Sequence, residues 1–205
     1  TNAALLSENT DYAQALRKGY IAALEKAGIT IVADEVVDSS AKEVRTQLLK
    51  IKNGNPDVVI LLPQTIPMAG IFAKQWVETG MDVHVYGNEI FSLGDTLKAY
   101  GREMEGFITP QIKFDDSLPA FKRVASETQC DLGYYCTTTY DGIFLLGEIF
   151  ETCGDKDTDC IKEKLYATKG WKGPLGGVYT FDENGDVAGN FELLQIKNGE
   201  AALLA

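Results

Sequence analysis

Apolar and polar positions follow two alternating rhythms through the first half of the chain. Ala3–Ser7 is a short apolar run, ended by the polar Glu8-Asn9-Thr10-Asp11. From Tyr12 to Ala27, residues Leu16, Gly19, Tyr20, Ala23, Leu24 and Ala27 recur three and four apart. That spacing predicts a helix with one buried stripe and Gly28 as its C-terminal stop. Ile29–Val37 is rich in β-branched residues and reads as a strand. Ser39 and Ser40 are placed to start a second helix, with Val44, Leu48 and Ile51 on one face and an end near Asn53-Gly54. Val58–Leu62 is a continuous apolar run, the pattern of a strand covered on both faces. Pro63–Pro67 is a loop, and Met68–Thr79 a helix with Ile71, Phe72, Trp76 and Val77 inward, ended by Gly80. Val83–Tyr86 is the next strand, and Gly87-Asn88-Glu89 turns out of it. Leu93–Gly101 is a weaker helix, and Phe107–Ile112 a further strand.

Strand and helix in alternation over residues 1–112 predict an α/β fold with a mostly parallel, doubly wound sheet. The pattern then changes. Ser117–Glu127 and Tyr134–Thr152 read as helices, the second strongly apolar through Ile143, Phe144, Leu145, Leu146, Ile149 and Phe150. Too many large apolar side chains lie there for all to face water, so something is expected to cover them. Asp159–Thr168 is a short third helix. Val178–Phe181 and Asn190–Lys197 flank the turn Asp182-Glu183-Asn184-Gly185-Asp186, predicting a C-terminal β-hairpin built on Asn184-Gly185.

Charge narrows the partners. With 19 basic and 30 acidic side chains the 205-residue chain carries a net −11. It has no basic stretch, which disfavours nucleic acid and anionic lipid. No apolar run is long enough for membrane insertion. Nine Phe, nine Tyr and two Trp rule out a disordered chain. A start without Met that leads at once into a strand predicts a processed or cut chain whose signal peptide has been removed. Cys130, Cys136, Cys153 and Cys160 fall within 31 residues, with no C-x-x-C pair, and the single His84 is far away. Zinc ligation would need unusual spacings. Paired disulfides are the simpler reading, with buried thiols as the alternative. The expected pairs, Cys153–Cys160 and Cys130–Cys136, imply an oxidising compartment.

No catalytic motif is present: no phosphate loop, no dinucleotide fingerprint, no G-x-S-x-G and no H-E-x-x-H. His84 alternates with Val83 and Val85 and reads as a strand-face residue. The acidic turn at Asp182 lacks calcium spacing, since Gly185 is fourth rather than sixth and the twelfth position is Leu193. No metal or cofactor is therefore expected. What remains are the loops at the strand ends, where open parallel sheets bind ligands. Ser7-Glu8-Asn9-Thr10-Asp11-Tyr12, Pro63-Gln64-Thr65-Ile66-Pro67 and Gly87-Asn88-Glu89 bring together a phenol, amides, a hydroxyl and a carboxylate. Tyr12, Gln64, Thr65, Asn88 and Glu89 suit a small zwitterion, with the Glu89 carboxylate facing an ammonium. The competing reading makes Asn9, Thr10 and Asp11 helix caps and Glu89 a solvated turn residue.

Asn9-Thr10-Asp11-Tyr12 before an Ala-rich helix resembles the second lobe of type 1 periplasmic binding proteins, in particular the leucine/isoleucine/valine-binding branch of ABC transporters. So do Ala27-Gly28 before a strand, Asn55-Pro56-Asp57-Val58-Val59, and Glu78-Thr79-Gly80 before Val83–Gly87. Tyr140-Asp141-Gly142 inside an apolar helix, Gly173-Pro174-Leu175-Gly176-Gly177 and Phe181–Gly185 are similar as well. The resemblance covers nearly the whole chain. It implies one lobe of a clamshell, with residues 1–112 and 170–205 in lobe two, 113–169 a helical part of lobe one, and the beginning of lobe one missing. It also implies that Glu89 holds a ligand ammonium and that Tyr12 is the aromatic of the first loop. Where the family commonly places an aromatic in the loop after the third strand, this chain has Gln64-Thr65.

The function implied is that of an extracytoplasmic solute-binding protein of an ABC importer, periplasmic or extracellular, and not an enzyme. Its partners would be a small-molecule ligand such as an amino acid, the ABC permease and, for the fragment, a second copy of itself or the rest of lobe one over the apolar Tyr134–Thr152 helix. The alternatives are a ligand-sensing receptor ectodomain with the same clamshell and a doubly wound, flavodoxin-like enzyme.

Overall fold

The computed structural model describes residues 1–128, 133–187 and 191–204. The chain divides into two compact units, Thr1–Gln111 with Glu192–Ala205, and Ile112–Phe191.

The first unit alternates β1 (Asn2–Glu8), α1 (Asp11–Lys26), β2 (Thr30–Val37), α2 (Arg45–Asn53), β3 (Val58–Leu62), α3 (Ile66–Thr79), β4 (His84–Gly87), α4 (Gly94–Tyr100) and β5 (Ile108–Ile112). A single 3-10 turn, Glu89–Ser92, separates β4 from α4. With β8 (Phe191–Lys197) and β9 (Glu200–Leu203) the strands form a seven-stranded sheet in the order β2-β1-β3-β4-β5-β8-β9. The pairs β1/β2, β1/β3, β3/β4 and β4/β5 are parallel. Both sheet faces are covered, which is why β1 and β3 are apolar without alternation. Ala4, Leu6, Val59 and Leu61 join Leu48, Ile51, Phe72 and Trp76 on one face. Leu5, Ile60 and Leu62 meet Leu16, Tyr20 and Leu24 of α1 on the other.

Several features differ from the sequence expectation: Val77, expected inward on α3, and Gly19, Ala23 and Ala27, expected in the buried stripe of α1, are exposed. The second helix begins at Arg45 rather than at the serines. Asp38 accepts from Ser40 N and Oγ in a local turn instead. The helix entry is held from α3, where Gln75 Oε1 accepts from the buried Val44 N at 2.7 Å. The C-terminal hairpin is not built on Asn184-Gly185, where among the described residues the isolated bridge Phe181–Val187 forms. It is β8 against β9, antiparallel, turning through Asn198 (φ 55°) and Gly199 (φ 81°). Two consecutive positive φ values are what a type I′ two-residue hairpin turn demands, and Asn-Gly supplies them at least cost.

The second unit holds α5 (Pro119–Thr128), α6 (Tyr134–Cys153), α7 (Thr158–Ala167) and the two-stranded antiparallel ribbon β6 (Trp171–Lys172) with β7 (Val178–Tyr179). Its organising residue is Asp141, fully buried in α6. The carboxylate accepts from Leu175 N at 2.7 Å, Gly177 N at 3.0 Å and the Tyr179 hydroxyl at 3.2 Å. These bonds tie 170–179 to α6, so that this stretch groups with 112–169, whereas the sequence expectation groups it with lobe two. Cys153 and Cys160 form a disulfide joining the end of α6 to the start of α7. The expected Cys130–Cys136 pair involves Cys130, which lies outside the described residues. On α6, Ile143, Phe144, Leu146 and Phe150 are exposed while Leu145 and Ile149 are buried. No described helix is long and apolar enough to cross a membrane.

Candidate functional site

Parallel β1, β3 and β4 end side by side at Glu8, Leu62 and Gly87, so the loops that follow them emerge at one edge of the sheet. This is the edge at which an open parallel sheet receives ligands. His84 begins β4 and therefore sits at the opposite edge, exposed to solvent.

The first and third loops meet directly. The Tyr12 hydroxyl donates to Glu89 Oε1, and both side chains are half-buried. Tyr12 stands in the first turn of α1, whose N-cap is Thr10, with its Oγ1 accepting from Ala13 N at 3.2 Å. Glu89 opens the 3-10 turn, and Ser92 Oγ donates to its carbonyl at 2.9 Å. The phenol of Tyr20, two turns along α1, is held above its ordinary pKa, first by burial and then by the negative charge of Glu89.

The second and third loops are joined through Asn88. Its Nδ2 donates to Pro63 O at 2.6 Å, and its carbonyl accepts from Thr109 Oγ1 at 2.6 Å. Asn88 is buried, so its amide holds loops together rather than facing solvent. Gln64 and Thr65 are exposed. Thr65 also caps α3, with its Oγ1 accepting from Met68 N at 3.3 Å. Capping and exposure at the sheet edge are thus combined in one residue.

Glu8 was not among the residues expected from the sequence. It ends β1 with no exposed surface, and its Oε2 accepts from Gln64 N at 2.6 Å and Thr65 N at 3.2 Å. The only signal for it is an acid one place beyond an apolar run that should otherwise end in neutral residues.

The edge therefore presents a half-buried carboxylate with a phenol bound to it, flanked by an exposed amide and hydroxyl. Such a set can hold a small cationic group and orient polar substituents around it. Among the described residues no cluster of His, Cys, Asp and Glu has the form of a metal site.

A periplasmic binding protein family profile matches residues 1–201. Among solved structures, the chain is similar to the leucine-binding protein LivK of Thermotoga maritima, at 20% identity and TM-score 0.86, covering 100% of this chain and 59% of that one. It is similar to LivJ of Streptococcus pneumoniae, a branched-chain amino acid transporter substrate-binding protein solved with isoleucine, at 20% identity and TM-score 0.77, covering 99% and 60%. A solute-binding protein of an ABC transporter from Rhodopseudomonas palustris, solved with benzoate, gives 16% identity and TM-score 0.82, covering 100% and 58%. The chain thus spans about three fifths of the length of these proteins. No curated protein shows a significant match. The chain belongs to the periplasmic binding protein family, an extracytoplasmic family of ligand-binding proteins and not of enzymes.

Proposed function

We propose that the chain carries one ligand-gripping face of a solute-binding protein that serves an ABC importer in the periplasm or at the cell surface, and that the solute is an amino acid or a similar small polar molecule. The observation that carries this reading is the Tyr12–Glu89 contact at the carboxyl edge of the parallel strands. Glu89 holds the ligand ammonium, and Tyr12 orients the carboxylate and covers one side of the ligand. Gln64 and Thr65 supply polar contacts from the second loop, and Asn88 holds that loop in place.

On this reading the first unit, Thr1–Gln111 with Glu192–Ala205, acts as lobe two, and the second unit, Ile112–Phe191, as part of lobe one. The exposed apolar face of α6 is then covered by the rest of lobe one, or by a second copy in the isolated fragment. Ligand contacts shift the lobes toward the closed form that the permease receives. The test is calorimetric titration of the gene's full-length product with each of the twenty L-amino acids. Binding of at least one, with micromolar or tighter affinity, is expected. Absence of binding to all of them would contradict the reading.

A further inference from the structure

A buried carboxylate is costly unless its oxygens are paired, so an acid in the last position of β1 needs a reason. Glu8 has no exposed surface. One oxygen, Oε2, serves two consecutive backbone amides, Gln64 N and Thr65 N. These lie at the entry of α3, where backbone donors have no partner inside the helix and negative charge is favoured. The carbonyl of the same Pro63–Gln64 peptide is held by Asn88 Nδ2. No peptide bond here is cis, and in a trans peptide C=O and N–H point in opposite directions. Glu8 and Asn88 therefore grip this peptide from its two sides. The strand order allows this, because β3 runs between β1 and β4.

The grip closes a ring. Glu8 ties the first strand end to Gln64 and Thr65, and Asn88 ties Pro63 to the third loop. The next residue, Glu89, receives Tyr12, four positions after Glu8. The second oxygen of Glu8, Oε1, is buried with no hydrogen-bond partner among the described residues. Leaving it so is destabilising, and departures from the best local choice gather where function sets the requirement.

We propose that Glu8 is a positioning residue of the ligand site: it fixes where Gln64 and Thr65 stand relative to Tyr12 and Glu89, without touching ligand. Its effect on affinity rests on the amino-acid-binding reading above, whereas its effect on the loop does not.

Two variants separate positioning from space-filling. Glu8→Gln keeps an acceptor oxygen at the same reach, and Glu8→Met fills the volume with none. Backbone amide exchange is read on the 205-residue chain. In Glu8→Met, exchange at Gln64 and Thr65 is expected to accelerate at least about tenfold beyond any change at Ile60 in β3, and in Glu8→Gln by clearly less. In the full-length product, affinity for L-leucine is expected to fall about tenfold in Glu8→Met and less in Glu8→Gln. Should Glu8→Met not fold, Glu8→Asp decides, because its shorter carboxylate no longer reaches both amides and the same selective exchange is expected. Unchanged exchange at Gln64 and Thr65, or a Met variant better than the Gln variant, overturns the proposal. So does selective loosening that leaves L-leucine affinity unchanged. If the wild type binds no amino acid, the functional reading fails, and the exchange data alone still uphold or overturn the anchoring of the loop.

Discussion

The Tyr12 hydroxyl donates to the Glu89 carboxylate across 77 residues of sequence, joining the loop after β1 to the loop after β4. Removing the hydroxyl in Tyr12→Phe takes a donor from a half-buried carboxylate and should cost about 1 kcal/mol of stability, below the roughly 1.5–3 kcal/mol of hydrogen bonds to charged groups because both residues keep solvent contact. A double-mutant cycle with Glu89→Gln, read by urea unfolding, should return a coupling of roughly 0.5–2 kcal/mol. Additive effects would mean that the two side chains do not support each other.

Gly87 controls how Glu89 is presented. A Cβ at Gly87 would stand 2.2 Å from the Phe91 ring, and Phe91 is fully buried between the sheet and its neighbours. Neither strand nor ring has room to yield cheaply. Gly87→Ala should destabilise by about 1–3 kcal/mol and also weaken ligand binding by moving the 3-10 turn. Wild-type stability in urea would show that the ring moves aside freely.

Asp141 holds the second unit through three donors from residues 175–179. Asp141→Ala leaves a buried amide, a half-buried amide and a phenol without their acceptor and should cost about 3 kcal/mol or more. Gly173→Ala should be comparably damaging, since its Cβ would lie 2.1 Å from Asp141 Cγ. Unfolding by urea checks both, and a loss under about 1 kcal/mol for either would contradict the role given to Asp141.

Alkaline pH should weaken the fold through two tyrosines. Tyr179 is held well above the ordinary phenol value by burial first, then by the negative charge and hydrogen bond of Asp141. Tyr20 is held above it by burial and then by Glu89. A raised pKa means that the folded state keeps a proton the unfolded chain gives up. The stability from these neutral phenols is fully present below about pH 10, the unfolded value, and is lost as pH rises above it. Tyr20→Phe and Tyr179→Phe should each flatten the fall in urea stability above that pH. An unchanged slope in both variants would contradict the assignment.

Much of the fold was legible because it rests on local periodicity. Val58–Leu62 forms the strand its unbroken apolar run predicts, and Tyr134–Thr152 is a helix that ends one residue later, at Cys153. What escaped depends on partners distant in sequence. The start of α2 is set by Gln75, thirty-one positions away, so the nearby serines pointed to the wrong place. Two Asn-Gly pairs compete for the hairpin. The one at Asn198-Gly199 wins because β8 and β9 on either side of it join the sheet, whereas among the described residues Asn184-Gly185 closes an isolated bridge. At the site, Tyr12 and Glu89 were readable as loop residues at strand ends. Glu8 was not, because only the tertiary structure shows that a strand-end acid reaches the amides of Gln64 and Thr65.

The most direct test of the central claim is the affinity of one amino acid for the full-length wild type and for Glu89→Gln, measured by calorimetry beside the same compound lacking its amino group, for example L-leucine and 4-methylpentanoate. If Glu89 holds the ammonium, the wild type should prefer L-leucine strongly. Glu89→Gln should lose at least about 1.5 kcal/mol of L-leucine binding and most of that preference. Equal binding of L-leucine by both proteins, or an undiminished preference in Glu89→Gln, would contradict the account.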